Sequence, residues 1–78
     1  MSKLAAIAEV AVPLPVDRLF DYSIPRKLIG KIAPGMRVRV IFNRREMLGY
    51  VIGLSSRVPT RKLNPIIDTV DQSPLISP

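Results

Sequence analysis

Cysteine and histidine are both absent from the 78 residues. Their absence removes disulfides, thiol nucleophiles, imidazole bases and every zinc site built on Cys or His ligands. A cysteine-free chain suits the reducing cytoplasm. Acidic side chains are scarce: Glu9, Asp17, Asp21, Glu46, Asp68 and Asp71 are the full set, and no two are spaced as a shared catalytic pair. No glycine-rich phosphate loop followed by Lys occurs. With no catalytic residue, metal ligand or cofactor contact to nominate, the expectation is a binding domain rather than an enzyme. Apolar runs are also short of the roughly 20 residues a membrane-spanning helix requires. The apolar start has Lys3 as its only early charge, is interrupted by Glu9 and is stopped by Pro13 and Pro15. That pattern fits a strand better than an export signal.

What the chain does carry is positive charge in one stretch. Residues 26–62 hold ten basic side chains against Glu46 alone, a local charge of +9 within a chain of net charge +6. A field so concentrated draws polyanions, nucleic acid first and an anionic membrane second. No basic amphipathic helix is visible, which disfavours the membrane. The apolar share of 47% is that of a globular domain. At this length a chain buries only about 60% of its unfolded surface, near the lower limit for folding alone.

Eight prolines and four glycines leave little room for helices of ordinary length. The pieces between them read as short strands. Leu4–Val12 alternates loosely, with Leu4, Ala6, Ala8, Val10 and Val12 on one side; helix stays open there on propensity, and the Pro-Leu-Pro exit favours a strand. Leu19–Ile24 forms a second strand. Pro34-Gly35 signals a tight turn into Met36–Phe42, where Val38, Val40 and Phe42 point inward and Arg37 and Arg39 outward. Asn43-Arg44-Arg45-Glu46 is expected as a hairpin loop, with Met47–Leu54 returning antiparallel. Gly49 and Gly53 mark a bulge or a close strand contact. A basic loop at 55–64 precedes a last strand, Ile66–Val70. Five short strands cannot bury two faces of an open sheet, so the predicted fold is all-β, a small barrel-like domain whose curl removes most exposed edges. Residues 1–72 are expected as the domain. Residues 73–78 are expected as a linker toward a downstream domain absent from this chain.

Three groups point to nucleic acid. Arg37, Arg39, Arg44 and Arg45 lie on or beside the hairpin, where guanidinium forks match phosphate oxygens. Phe20-Asp21-Tyr22 places two aromatics on one strand face and a carboxylate on the other. Aromatics at that spacing are more often core, but an exposed one stacks on any base. A carboxylate repels phosphate yet accepts from a hydroxyl, which suits a strand terminus; a plain surface aspartate is the bland alternative. Arg57, Arg61, Lys62 and Asn64 either close over a strand or simply solvate their loop.

In order, Val10-Ala11-Val12-Pro13-Leu14-Pro15, Leu19-Phe20-Asp21-Tyr22, Pro34-Gly35-Met36-Arg37-Val38-Arg39-Val40, Phe42 and Gly49-Tyr50-Val51 resemble the start of the primosomal protein N′ (PriA) replication-restart helicases. The likeness runs from about residue 5 to 72. It implies a domain that captures the 3′ end of a nascent leading strand at an abandoned fork, with Phe20 and Asp21 in the pocket for the terminal nucleotide. Members of the family also use a glycine after the Val-x-Phe strand and a lysine in the late loop; Asn43 and Asn64 stand at those positions here. Asparagine tolerates a left-handed turn but adds bulk, and Lys62 is placed to supply the missing charge. ATP, magnesium, zinc and contacts with other primosome proteins are implied only for a longer parent chain, a 3′→5′ helicase of the bacterial cytoplasm.

The reading is therefore a monomeric domain for single-stranded or forked DNA with a free 3′-hydroxyl. Phe20, Asp21, Asn43 and Asn64 form the end pocket, and Arg37, Arg39, Arg44, Arg45 and Lys62 hold the DNA backbone. It fails if Asp21 faces away from the cationic side or is locked in an internal ion pair. An RNA- or ribosome-binding barrel and a protein-interaction module remain alternatives.

Overall fold

The computed structural model of the chain describes residues 6–15 and 18–71. The expected linker at 73–78 and the first residues of the expected Leu4–Val12 strand lie outside them. Five strands form one antiparallel sheet: β1 (Ile7–Ala11), β2 (Phe20–Ser23), β3 (Arg37–Phe42), β4 (Arg45–Ser55) and β5 (Asp68–Thr69). Their spatial order is β2-β1-β4-β3-β5. One turn of 3₁₀ helix, Arg26–Leu28, follows Pro25, in a region where no element is expected from the sequence. No helix among the described residues is long and apolar enough to cross a membrane.

The alternation in β3 decides its orientation. Val38 and Val40 are wholly buried, Phe42 packs against the same core, and Arg37 and Arg39 take the outer face. Ahead of β3, the Met36 N–H donates to the Ala33 carbonyl over 3.2 Å, closing a turn with Pro34 and Gly35 at its centre. Gly35 has φ +91°, the left-handed value the third position of a type II turn requires. The sequence of β1 suggests one buried side; Ala8 and Val10 are buried on it, but Ile7 on the opposite side is buried too. The second face of β1 is thus covered at Ile7 alone, and Glu9 and Ala11 beyond it stay partly exposed, so the alternation returns along the rest of the strand.

The curl comes from β4. At 11 residues it is the longest strand, pairing with β3 through its first half and with β1 through its second. Glu9 faces Gly53 and Val10 faces Val51, so Ile52 is the extra residue of a bulge. Bulges bend and twist a strand, which lets the two halves of the sheet enclose one core. Residues 64–70 then run from the end of β2 to the edge of β3. Ser23 donates to the Asn64 carbonyl and accepts from the Ile66 N–H, both at 3.0 Å, while Ile67 and Val70 donate to the Arg39 and Arg37 carbonyls at 2.8 and 3.0 Å. Ile66 seals the core at this crossing.

The sheet is therefore all-β and curled as expected, but it stops short of a closed barrel. A single bridge, Ser23 with Pro65, joins β2 to the crossing segment. Above that bridge, Phe20–Tyr22 and Ile41–Asn43 face each other without strand pairing. The Tyr22 hydroxyl spans the opening and donates to the Ile41 carbonyl at 3.0 Å, satisfying an acceptor that β5, ending its pairing at Arg39, does not reach. Burial raises the Tyr22 pKa, so the phenol stays a donor.

The hairpin is tighter than the four-residue loop expected from its polar sequence. Phe42 pairs with Arg45, leaving only Asn43 and Arg44 as the turn; Arg45 and Glu46 belong to β4. Polar side chains do not prevent strand pairing at a solvent-facing position, and here the turn geometry outweighs them. Asn43 and Arg44 have φ of 51° and 66°, the pair of positive values of a type I′ turn. Asparagine accepts that conformation, whereas the Cβ of Arg44 crowds the following carbonyl there at a cost of roughly 1–2 kcal/mol. Arg44→Gly is expected to raise stability by about 0.5–1 kcal/mol after the added unfolded-state entropy is subtracted. A thermal melt should show the midpoint rising by roughly 3–6 °C.

Candidate nucleic-acid interface

The opening between β2 and β3 is a cavity of about 360 Å³, at the low end of the roughly 300–1,000 Å³ usual for small-ligand sites. Its lining brings together Phe20, Asp21, Asn43 and Asn64 with Lys62, five residues that lie up to 44 positions apart in the sequence. Each is held by a different constraint. Phe20 and Asp21 sit on β2 through pairing with Val10 and Glu9. Asn43 is fixed by the left-handed turn. Asn64 is anchored through its carbonyl, which accepts from Ser23, and Lys62 lies in the exposed loop just before it.

Arg18 and Arg61 also line the cavity. Together with Lys62 they give it three cations, none in an ion pair with another described residue. Arg18 is absent from the sequence-based site. The available signal was period-two spacing, which puts it on the face shared by Phe20 and Tyr22.

Phe20 is not a bare stacking platform. Its ring packs edge-on against Phe42 at 4.5 Å between centroids, and the Arg18 guanidinium lies 4.8 Å from its centroid. Phe20 walls the cavity, and the planar guanidinium over it is the better-exposed stacking surface.

Asp21 lies on the cavity wall, and its carboxylate is not alone. Oδ2 accepts from Nη2 of Arg57, whose side chain is half exposed, while that of Asp21 is 27% exposed. The pair lies at the surface rather than in the interior. Across the strand Glu9 stands opposite Asp21, so Arg57 answers a locally negative row.

The outer face of the sheet is electrically different. Arg37 grips Asp71 with a bidentate fork, Nη2 to Oδ1 at 2.9 Å and Nε to Oδ2 at 3.2 Å, and its backbone N–H adds a third bond at 2.9 Å. These bonds hold the Asp71 carboxyl below its usual range and raise Arg37 further. Arg39 contacts Asp68 at 3.3 Å and Glu46 at 3.5 Å. The expectation that this basic stretch lacks balancing acids is corrected here. A count along the chain misses Asp68, which β5 carries to the edge of β3, and Asp71 just beyond that strand. Arg37 and Arg39 lie outside the cavity lining, as do Arg44 and Arg45. The last two are exposed at the hairpin tip beside Asn43. Among the described residues no cluster of three His, Cys, Asp or Glu could hold a metal ion.

Known proteins share this chain's pattern. The family of the PriA 3′-DNA-binding domain (3′BD) matches residues 9–78. Replication restart protein PriA of Haemophilus influenzae is 36% identical over 74 residues, covering 92% of this chain and 10% of that protein. Replication restart protein PriA of Bacillus subtilis is 36% identical over 75 residues, 90% of this chain and 9% of that protein. The chain thus spans about a tenth of the length of these relatives. A match over nearly all of the sequence, together with the fold described above, establishes that this chain belongs to the PriA 3′-DNA-binding domain family.

Proposed function

We propose that the chain binds DNA and captures the 3′ end of a strand at a stalled fork, as the end-binding domain of a bacterial replication-restart protein. The observation that carries this reading is the unclosed seam. It is a cavity at the low end of ligand-site sizes, walled by Phe20 and Asp21 and flanked by Arg18, Arg61 and Lys62. Phosphates preceding the terminal nucleotide meet the three cations. The last sugar carries a hydroxyl and no further phosphate, so a carboxylate is tolerated there and accepts a hydrogen bond from that hydroxyl. Base identity matters little, because cation stacking and an aromatic wall are indifferent to it. The hairpin arginines Arg44 and Arg45 extend the phosphate track; Arg37 and Arg39, already engaged with acids, contribute little. Asn43 and Asn64 offer amide groups at the rim of the pocket.

In a parent of the relatives' length, ATP-driven 3′→5′ helicase chemistry with magnesium, the zinc-binding region and contacts with other primosome proteins belong to segments outside this chain. Its setting is the bacterial cytoplasm, and the domain acts as a monomer.

Asp21→Ala tests the terminus. In fluorescence-anisotropy titrations, the wild-type chain is expected to bind a 3′-hydroxyl oligonucleotide more tightly than its 3′-phosphate counterpart. The variant should lose roughly three- to tenfold of that preference, the net worth of one typical solvent-accessible hydrogen bond, with general binding largely kept. Equal wild-type affinities for the two ends would overturn the reading. Tighter binding to folded RNA than to single-stranded DNA would replace it with the RNA alternative.

A further inference from the structure

Arg57 is the one cation of the late loop that has already chosen a partner. Arg61 and Lys62 line the cavity, whereas Arg57 stands beside it and binds Asp21. The loop between them starts from a fixed point: the Arg57 N–H donates to Ser55 Oγ at 3.2 Å, and Ser55 is the last residue of β4. Arg57 thus leaves a rigid strand and meets the carboxylate that the end-binding reading depends on. No other hydrogen bond to that carboxylate is present among the described residues, which leaves Oδ1 free to accept.

Resting on that reading, we infer that Arg57 is a specificity-determining residue that sets how strongly Asp21 rejects a phosphorylated terminus. A carboxylate alone repels a terminal phosphate and welcomes a hydroxyl. With a guanidinium on one oxygen the repulsion is offset, while the other oxygen still accepts a hydrogen bond from the hydroxyl. A guanidinium has five N–H donors, and only one is recorded on Asp21, so Arg57 also offers an incoming phosphate something to bind. Its half-exposed side chain is accessible to such a ligand. Arg57 therefore supports affinity for any end while blunting the choice between ends. It does so as a positioning and charge-balancing group, not as a wall of the pocket.

Removing it should separate the two effects. For Arg57→Ala, the ratio of affinities for 3′-hydroxyl over 3′-phosphate oligonucleotides is expected to rise roughly three- to tenfold, as for the loss of one nearby opposite charge at a solvated site. Binding of both ends weakens, the phosphate end more. Arg57→Lys, which keeps the charge, should stay within about twofold of wild type in that ratio. Thermal melts of each variant establish that the comparison is between folded proteins. A wild-type ratio above one that is unchanged or lowered in Arg57→Ala overturns the inference and leaves the end-binding reading standing. A ratio of one in wild type overturns the end-binding reading, and the role of Arg57 falls with it.

Discussion

Gly49→Ala is expected to destabilise the domain by about 2–3 kcal/mol, the range for forcing an extra carbon into a packed interior. In a strand the same exchange ordinarily helps, because glycine loses more entropy on folding than alanine. Here the added Cβ would collide with Cγ1 of Val10 and approach the Ala11 carbonyl oxygen at 3.1 Å. Neither can retreat: Val10 is fully buried, and Ala11 is tied into the ladder opposite Tyr50. For a domain of this size the melting midpoint should drop by roughly 10–20 °C. Val10→Ala in the same background should recover part of the loss, giving strongly non-additive energies. Additive losses would mean that the contact is not the cause.

Arg18, Arg61 and Lys62 together should carry most of the affinity for DNA. Their simultaneous change to Ala is expected to weaken binding of a single-stranded oligonucleotide by roughly 50- to 100-fold at about 50 mM salt. The plot of log affinity against log salt should become shallower by about two, since each neutralised phosphate on a single strand contributes roughly 0.7. Arg39→Ala is the contrasting variant: its side chain is already shared between Asp68 and Glu46, so the expected loss is less than about twofold. Should Arg39→Ala weaken binding as much as the triple change, the sheet's outer face rather than the seam would be the interface.

Much of the fold was legible wherever one face of a strand meets water. Val38, Val40 and Phe42 alternate with Arg37 and Arg39, and period-two reasoning orients β3 without help. Pro34-Gly35 and Gly49 were legible because only particular backbone conformations or contacts use those residues. The hairpin loop is two residues shorter than its polar sequence suggests, since Arg45 and Glu46 look like loop but pair in the ladder with Phe42 and Ile41. The partners of Arg37 and Arg39 were invisible for a different reason. Asp71 lies 34 residues from Arg37, and nothing local links them. For the site, Phe20, Asp21, Asn43 and Asn64 came through family resemblance, and the fold gathers them at one opening. Arg18 was within reach of period-two spacing, two residues before Phe20, whereas the Asp21–Arg57 pair joins elements 36 residues apart, which composition cannot reveal.

The matched ions of the outer face have a consequence for encounter kinetics. With Arg37 and Arg39 balanced by acids while Arg18, Arg61 and Lys62 are not, a drifting polyanion is drawn less to the outer face than to the seam, and feels a torque as well as a pull. It is turned toward the open side before touching the protein, and fewer collisions are wasted on the wrong flank. Near physiological ionic strength the Debye length is about 8 Å, so this guidance acts only over the final nanometre of approach. Dilute buffer lengthens its reach, and association rather than dissociation is the rate that should respond.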